Sequence, residues 1–485
     1  IGAAAFAKAP WVKRVVLPEG FTFIGTAAFA GCSLLEEITL PQTLQSIGPR
    51  AFFGCERLRD PAFPAGLYGV GYEAFGGCAS LTRAVLPKRL ISLGDAAFAG
   101  CKSITRISLP GALFNIGAGV FKGIGPVRVS LAAGSLLTDW DRIGRAFDGC
   151  TVGRLDLPQF FKEENYDKLS TADHCVVSSD GVLQTVLRCR GDFTAPEDIT
   201  AIGKKAFSKN GKLESVILPE GLTAIGEEAF LGCGRLKSIR LPSTLRSIGK
   251  EAFRECTSLE SVDLPPALAS LKNGVFRGCR ALRRVTLPTA MESLPDETFL
   301  FCAALEEISL PDGLKKIGEC AFQWCNSLER ISFPAKLRYA GPHAFEGCNR
   351  LQSVSLPAAL RRIDDGLFRG CVSLREIRIP TGVKDVGQGA FSGCKALERV
   401  SLPAGLKTLG ERAFKECVRL QSIVLPEGCA VNGEAFSGCA GLLRAALLPG
   451  AVLGENVFSK CTALKDVSLP EGIAQIPRMT FFCCA

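Results

Sequence analysis

Histidine occurs twice in these 485 residues, tryptophan three times and tyrosine four times. The scarcity of histidine removes the most versatile general base and metal ligand from nearly the whole chain. His174 lies in "ADHCV" and His343 in "GPHAF". The run Asp173-His174-Cys175 is not a triad, because triad members converge in space rather than along the sequence. His343 reads as a surface substitution at a variable position. Walker phosphate loops, dinucleotide fingerprints and C-x-x-C spacings are all missing. No catalytic residue, no cofactor-binding residue and no metal ligand is therefore assigned, and the chain is expected not to be an enzyme. The scarcity of Trp and Tyr removes side chains that commonly anchor a tight interface. No apolar run reaches the roughly 18 residues of a membrane-spanning helix. No export signal is visible. The chain begins in "IGAAAF" and ends in "TFFCCA", both within a repeated phrase, so a piece of a longer polypeptide is expected.

What is abundant is repetition. Phenylalanine of an "AF" pair recurs at Phe6, Phe29, Phe52, Phe75, Phe98 and Phe121, every 23 residues. It resumes at Phe207 and holds that step to Phe414, followed by Phe436, Phe458 and Phe481, with Phe147 as a degenerate anchor between the two series. Between anchors the phrase is A-F-x-G-C-x-x-L-x-x-I-x-L-P-x-x-L-x-x-I-G. "IRLP", ending at Pro242, alternates as a half-buried strand does, and Pro stops it for want of an N–H. "EEAFLGC" reads as about a turn and a half of helix or a 3₁₀ segment, and Gly249 as a tight turn needing unusual dihedrals. One such unit cannot bury its own Phe, Cys, Leu and Ile, so neighbouring turns must cover them in one continuous core. The Phe column is then core and not a stacking platform for bases. The expected fold class is an α/β repeat, a solenoid of 23-residue turns that each hold a short strand and a short helical or 3₁₀ segment.

Seventeen of the 22 cysteines sit three residues after an anchor Phe, among them Cys55, Cys233, Cys256 and Cys325. They form either a disulfide or metal ladder or a column of buried free thiols. Equivalent Cβ atoms in stacked strands lie about 4.8 Å apart on parallel bonds, whereas a disulfide needs about 3.8 Å and converging bonds. Geometry favours buried thiols. Any disulfide would involve the cysteines off the column: Cys175, Cys189, Cys320, Cys429 and Cys483.

The rhythm breaks after Phe121. Three regions are expected: a first array over 1–124, a degenerate turn plus insertion over 125–206, and a second array over 207–485, joined as one solenoid. In the insertion, "QFFKEENYDKLSTADHC" suits a loop or short helix outside the stack. "SSDGVL" suits a hairpin turning at Asp180-Gly181. Charge is uneven. Residues 1–200 hold 20 Lys/Arg against 19 Asp/Glu, and residues 201–485 hold 37 against 29. That basic excess suits an acidic partner or an anionic surface, or else is a solvated face.

The recurrence of Phe, Cys, Leu-Pro and Ile-Gly in register over about five-sixths of the chain resembles the BspA-like, or Treponema pallidum type, leucine-rich repeats. "DGVLQTVLRC" and "TAPEDITAIGKKAF" are also similar to the hairpin insert of that family. The resemblance implies a curved, right-handed leucine-rich-repeat solenoid without catalytic residues. It implies a surface-exposed or secreted protein, since several relatives are adhesins that bind host matrix proteins, other cells or each other. Residues 122–206 depart from the family pattern.

Strand positions that alternate with the buried Ile and Leu face outward. In the second array the candidate protein-binding residues are Ser238, Arg240, Arg284, Thr286, Arg330, Ser332, Glu376, Arg378, Arg399 and Ser401, with Ser261, Asp263, Glu307, Ser309, Ser353 and Ser355 in the same columns. Arg pairs bidentately with carboxylates. The expected partner is a protein, acidic or displayed on a host or cell surface, and not a specific nucleic acid. The alternatives are a cytoplasmic interaction scaffold or subunit of a larger assembly, and an accessory domain fused to an enzyme.

Overall fold

A computed structural model describes residues 1–132, 140–148, 150, 152–157, 174–178, 180–187, 191–268, 270–471, 473 and 475–484. The chain forms two compact units, Ile1–Cys189 and Arg190–Ala485. In each, three backbone segments recur along the turns and, where the ladders are unbroken, stack on their counterparts in the neighbouring turns.

The first segment is the expected strand. Ser238–Arg240 pairs in parallel with Leu213–Ile217 on one side and with Ser261–Asp263 on the other, residue Ser238 facing Ser261. Alternation buries Ile239 and exposes its two neighbours. The second segment is the "LxxIG" stretch, which also forms a strand: Ser247–Ile248 pairs with Ala224–Ile225. Its partnership is invisible in a two-residue pattern. Ser178 and Gly181 close the expected hairpin, Gly181 having φ 82° and His174–Ser178 running antiparallel to Val182–Leu187. The first ladder persists through the irregular stretch of the first unit, in parallel over Arg106–Leu109, Val127–Leu131, Val152–Leu157 and His174–Ser178. Of the loop or helix expected over 159–175, residues 159–173 lie outside the described residues, as does Cys189, whereas His174 and Cys175 belong to the strand His174–Ser178 and not to a loop or helix.

The third segment corrects the sequence reading. "EEAFLGC" is neither α-helix nor 3₁₀-helix; it is a run of tight turns. Two residues in it are left-handed, Glu228 at φ 53° and Gly232 at φ 70°, and left-handed residues four apart cannot share a right-handed helix. Amide donation alternates accordingly. Glu228, Phe230 and Gly232 donate to Lys250, Ala252 and Arg254 of the next turn at 2.7–2.9 Å, while Leu231 and Cys233 donate back three residues at 3.1 Å. The segment is thus a third ladder between turns. Among the described residues the α-helix is confined to Trp140–Ala146.

Gly249 is also corrected. Its φ is not left-handed. What it needs is room: a Cβ there would lie 2.5 Å from the Glu227 nitrogen and 2.6 Å from the Gly226 carbonyl carbon. The same crowding recurs at Gly48, Gly71, Gly94, Gly318 and Gly410. Among the described residues, the second ladder of the second unit is interrupted at turns where this glycine is replaced by Lys272 and by Asp364, although Asn432 in the same place leaves the ladder intact. Gly249→Ala is expected to cost about 1–3 kcal/mol in urea unfolding. Gly211→Ala, with open space around it and no left-handed φ, should stay within about 0.5 kcal/mol. Equal effects would remove the steric account.

The anchor rings stack as the core. Centroids are 4.9–6.1 Å apart from Phe6 to Phe147 and 4.7–5.7 Å apart from Phe207 to Phe481. Interior rings from Phe29 to Phe121 and from Phe207 to Phe458 are buried. The column thiols lie beside them, free and, Cys484 apart, buried. They are more than small apolar fillers. Most donate to the carbonyl of the Phe one turn back: Cys256 to Phe230 at 3.2 Å, Cys279 to Phe253 at 3.1 Å, Cys302 to Phe276 at 3.1 Å. The Phe230 carbonyl already accepts from the Cys233 amide at 3.1 Å, so the thiol satisfies its second lone pair.

Candidate functional site

The exposed face of the first ladder in the second unit is built by the alternation that buries Ile239, Val285, Ile331, Ile377 and their equivalents. Ser238, Arg240, Arg284, Thr286, Arg330, Ser332, Glu376, Arg378, Arg399 and Ser401 all occupy its outward positions. The structure divides them between two sheets. One ends at Arg284–Thr286; the other runs from Arg330–Ser332 to Arg399–Ser401. Glu307 and Ser309, expected in a strand between them, are exposed but join neither ladder.

In the later sheet the candidates converge. Glu376 faces Arg399, and Arg378 faces Ser401; Arg330 and Ser332 face Ser353 and Ser355. Ser353, Ser355, Glu376, Arg378, Arg399 and Ser401 line an open groove of about 910 Å³. Ser238, Arg240, Arg284 and Thr286 form a separate group, where Thr286 donates to Asp263 at 2.6 Å.

Arg399 reaches Glu376 at 3.0 Å, with both side chains more than half exposed. Such a pair contributes at most about 1 kcal/mol, so an incoming carboxylate competes for it at little cost. Arg240, Arg284, Arg330 and Arg378 have no carboxylate within 4.0 Å among the described residues. The groove presents guanidinium donors, hydroxyls and one engaged carboxylate, a set that recognises carboxylate or carbonyl oxygens.

His343 sits half-buried at left-handed φ 56°, so it is less exposed than a surface substitution, and its Nδ1 lies 2.7 Å from the Glu346 carboxylate. Asp173 is outside the described residues, and Cys175 is buried. Among the described residues no three His, Cys, Asp or Glu side chains are grouped to hold a metal ion, and no helix is long and apolar enough to cross a membrane.

Two surface columns escaped the sequence reading. Both occupy the first variable position of "LxxIG", on the second ladder. In the first unit Tyr68, Ile91 and Phe114 stack there, 46%, 38% and 56% exposed. In the second unit the column reads Lys315, Arg338, Arg361, Lys384 and Lys407, all exposed. Both columns are visible when the repeats are aligned on Ile-Gly rather than on the strand before Leu-Pro.

Stacked parallel turns with Leu, Ile, Phe and Cys in fixed inward columns define a leucine-rich-repeat solenoid. The chain belongs to the family described as BspA type leucine rich repeat region (6 copies), which matches residues 1–126, 191–305, 292–406 and 390–485. No curated protein matches it. Among solved structures it is similar to a leucine rich cell surface protein from Faecalibacterium prausnitzii, at 28% identity over 62% of this chain and 93% of that one, with a TM-score of 0.45. It is similar to the T. pallidum leucine rich repeat protein at 25% identity over 46% of this chain and 87% of that one, with a TM-score of 0.28. A leucine-rich repeat protein from Bacteroides ovatus is 24% identical over 88% of this chain and 82% of that one, with a TM-score of 0.28.

Proposed function

We propose that this chain is a non-enzymatic recognition solenoid that binds a protein through the exposed first ladder of its second unit, at the cell surface or outside the cell. The observation that carries the reading is the open groove in which Glu376, Arg378, Arg399 and Ser401 converge beside Arg330 and Ser332. Its guanidinium groups are exposed and mostly without carboxylate partners. Membership of the BspA type family supports protein binding. A broad, open groove suits an extended acidic segment held by several contacts, because few buried anchors are available to concentrate the energy.

The test is binding of purified extracellular matrix proteins to the immobilised chain. Reversing Arg240, Arg284, Arg330, Arg378 and Arg399 to Glu together should weaken saturable binding by at least about tenfold, mainly through faster dissociation. Unchanged binding moves the site off this ladder. A cytoplasmic scaffold role would instead give no binding to any of these proteins.

A further inference from the structure

The second ladder of the second unit carries a line of cations that the proposed protein-binding face does not use. Lys315 and Arg338 occupy successive turns, as the Arg338 amide donates to the Lys315 carbonyl at 2.9 Å. Arg361, Lys384 and Lys407 follow, with the Lys384 amide donating to Arg361 at 3.1 Å and that of Lys407 to Lys384 at 2.7 Å. The interruption at Asp364 falls between the two groups, but the turns on either side remain stacked through Phe345 and Phe368, 5.5 Å apart. Equivalent positions in stacked strands present their side chains on one face about 4.8 Å apart. The result is a row of positive charge along the stacking direction.

One member of the row, Lys315, is paired with Glu292 at 2.7 Å. The other nearby carboxylates are engaged outside the row: Asp364 and Asp365 by Arg362 at 2.8 and 3.7 Å, and Asp385 by the Thr408 hydroxyl. Arg338, Arg361, Lys384 and Lys407 have no carboxylate within 4.0 Å among the described residues. The local sequence also makes room for them. The Arg361 guanidinium and the Lys384 ammonium lie over Gly382 and Gly405 of the following turns, where a Cβ would collide with each.

We propose that this row binds a linear acidic polysaccharide, a glycan chain bearing sulfate or carboxylate on successive sugars. One cation per turn is close to the advance per sugar along an extended polysaccharide chain, so successive charges can meet successive charges. A single-stranded nucleic acid fits less well. Its phosphates are spaced more widely when extended, and its bases require aromatic platforms. In these turns the exposed aromatic beside the row is Tyr339, and its ring is already covered by the Lys316 ammonium at 5.5 Å.

The experiment measures binding of chondroitin sulfate, a single-stranded oligonucleotide of matched charge and neutral dextran to the full chain over a range of salt. Two variants with the same change in net charge are compared. One is Arg338→Gln/Arg361→Gln/Lys384→Gln/Lys407→Gln, and the other is Arg240→Gln/Arg284→Gln/Arg330→Gln/Arg378→Gln. The first should weaken chondroitin sulfate binding at least about tenfold and flatten its salt dependence, since fewer counterions are released. The second should stay within about twofold, and dextran should not bind. Equal losses in both variants would mean attraction by net charge alone and overturn the site. Absence of chondroitin sulfate binding, or tighter binding of the oligonucleotide that the first variant abolishes, would overturn the polysaccharide assignment. Thermal unfolding of both variants verifies that each is folded.

Discussion

Raising the pH from 8 to 11 at constant temperature should unfold the second unit steeply just above about pH 9, the ordinary thiol range. Burial pushes the thiols of Cys256, Cys279, Cys302, Cys325, Cys348, Cys371, Cys394, Cys417 and Cys461 upward, those of Cys279 and Cys394 to about 12. The folded chain therefore keeps these protons where the unfolded chain releases them. Stability is complete below the unfolded value and falls as pH rises from there toward the folded value. Each thiol withdraws roughly 1 kcal/mol per pH unit. Nine acting together exceed the stability of an ordinary domain within about one unit. Circular dichroism and thiolate absorbance, recorded on the same samples, should change together. Thiolate absorbance that rises near pH 9 while the circular dichroism holds would show that the column is accessible and contradict the packing. Replacing Cys256, Cys279, Cys302 and Cys325 by Ala should make the alkaline transition less steep. It should also lower stability at neutral pH, because four Phe carbonyls lose a donor.

Truncating one ring in mid-stack should weaken two junctions at once. Phe322 is fully buried between Phe299 at 5.3 Å and Phe345 at 5.1 Å. Phe322→Ala removes the transfer energy of the ring and leaves a cavity, a loss of about 3–5 kcal/mol. In a stacked array stability is a sum of turns and of the junctions between neighbours, so a weak junction uncouples the turns on either side. Calorimetry should show a lower first midpoint and a broadened or divided transition. A single unshifted transition would mean that cohesion resides elsewhere in the turn.

The inward columns were legible in the sequence because burial fixes residue type and the stack repeats it. Phe253, Cys256, Leu259 and Val262 are readable as core from spacing alone, and all four are buried. The hairpin at Asp180-Gly181 was legible for a similar reason, since a left-handed glycine marks the turn. The segment around Glu228 was misread because its apolar spacing satisfies a helix, while the left-handed residue that forbids one is a glutamate, with no compositional mark. Gly249 was assigned the wrong cause, as close approach between turns leaves the same residue as an unusual dihedral would. The outward candidates were placed on the right face by alternation, but their grouping depends on which strands remain in the ladder near Glu307. The row from Lys315 to Lys407 was missed because a two-residue strand shows no alternation; the column appears only when the repeats are aligned on Ile-Gly.

The central claim is a division of labour: inward columns hold the stack, and variable outward columns present charge. It is tested most directly by urea unfolding of Phe322→Ala beside the fourfold variant Arg240→Gln/Arg284→Gln/Arg330→Gln/Arg378→Gln. The predicted result is a loss of about 3–5 kcal/mol for the single ring and less than about 1 kcal/mol for the four exposed arginines together. A fourfold variant that loses as much stability as the single truncation would contradict it.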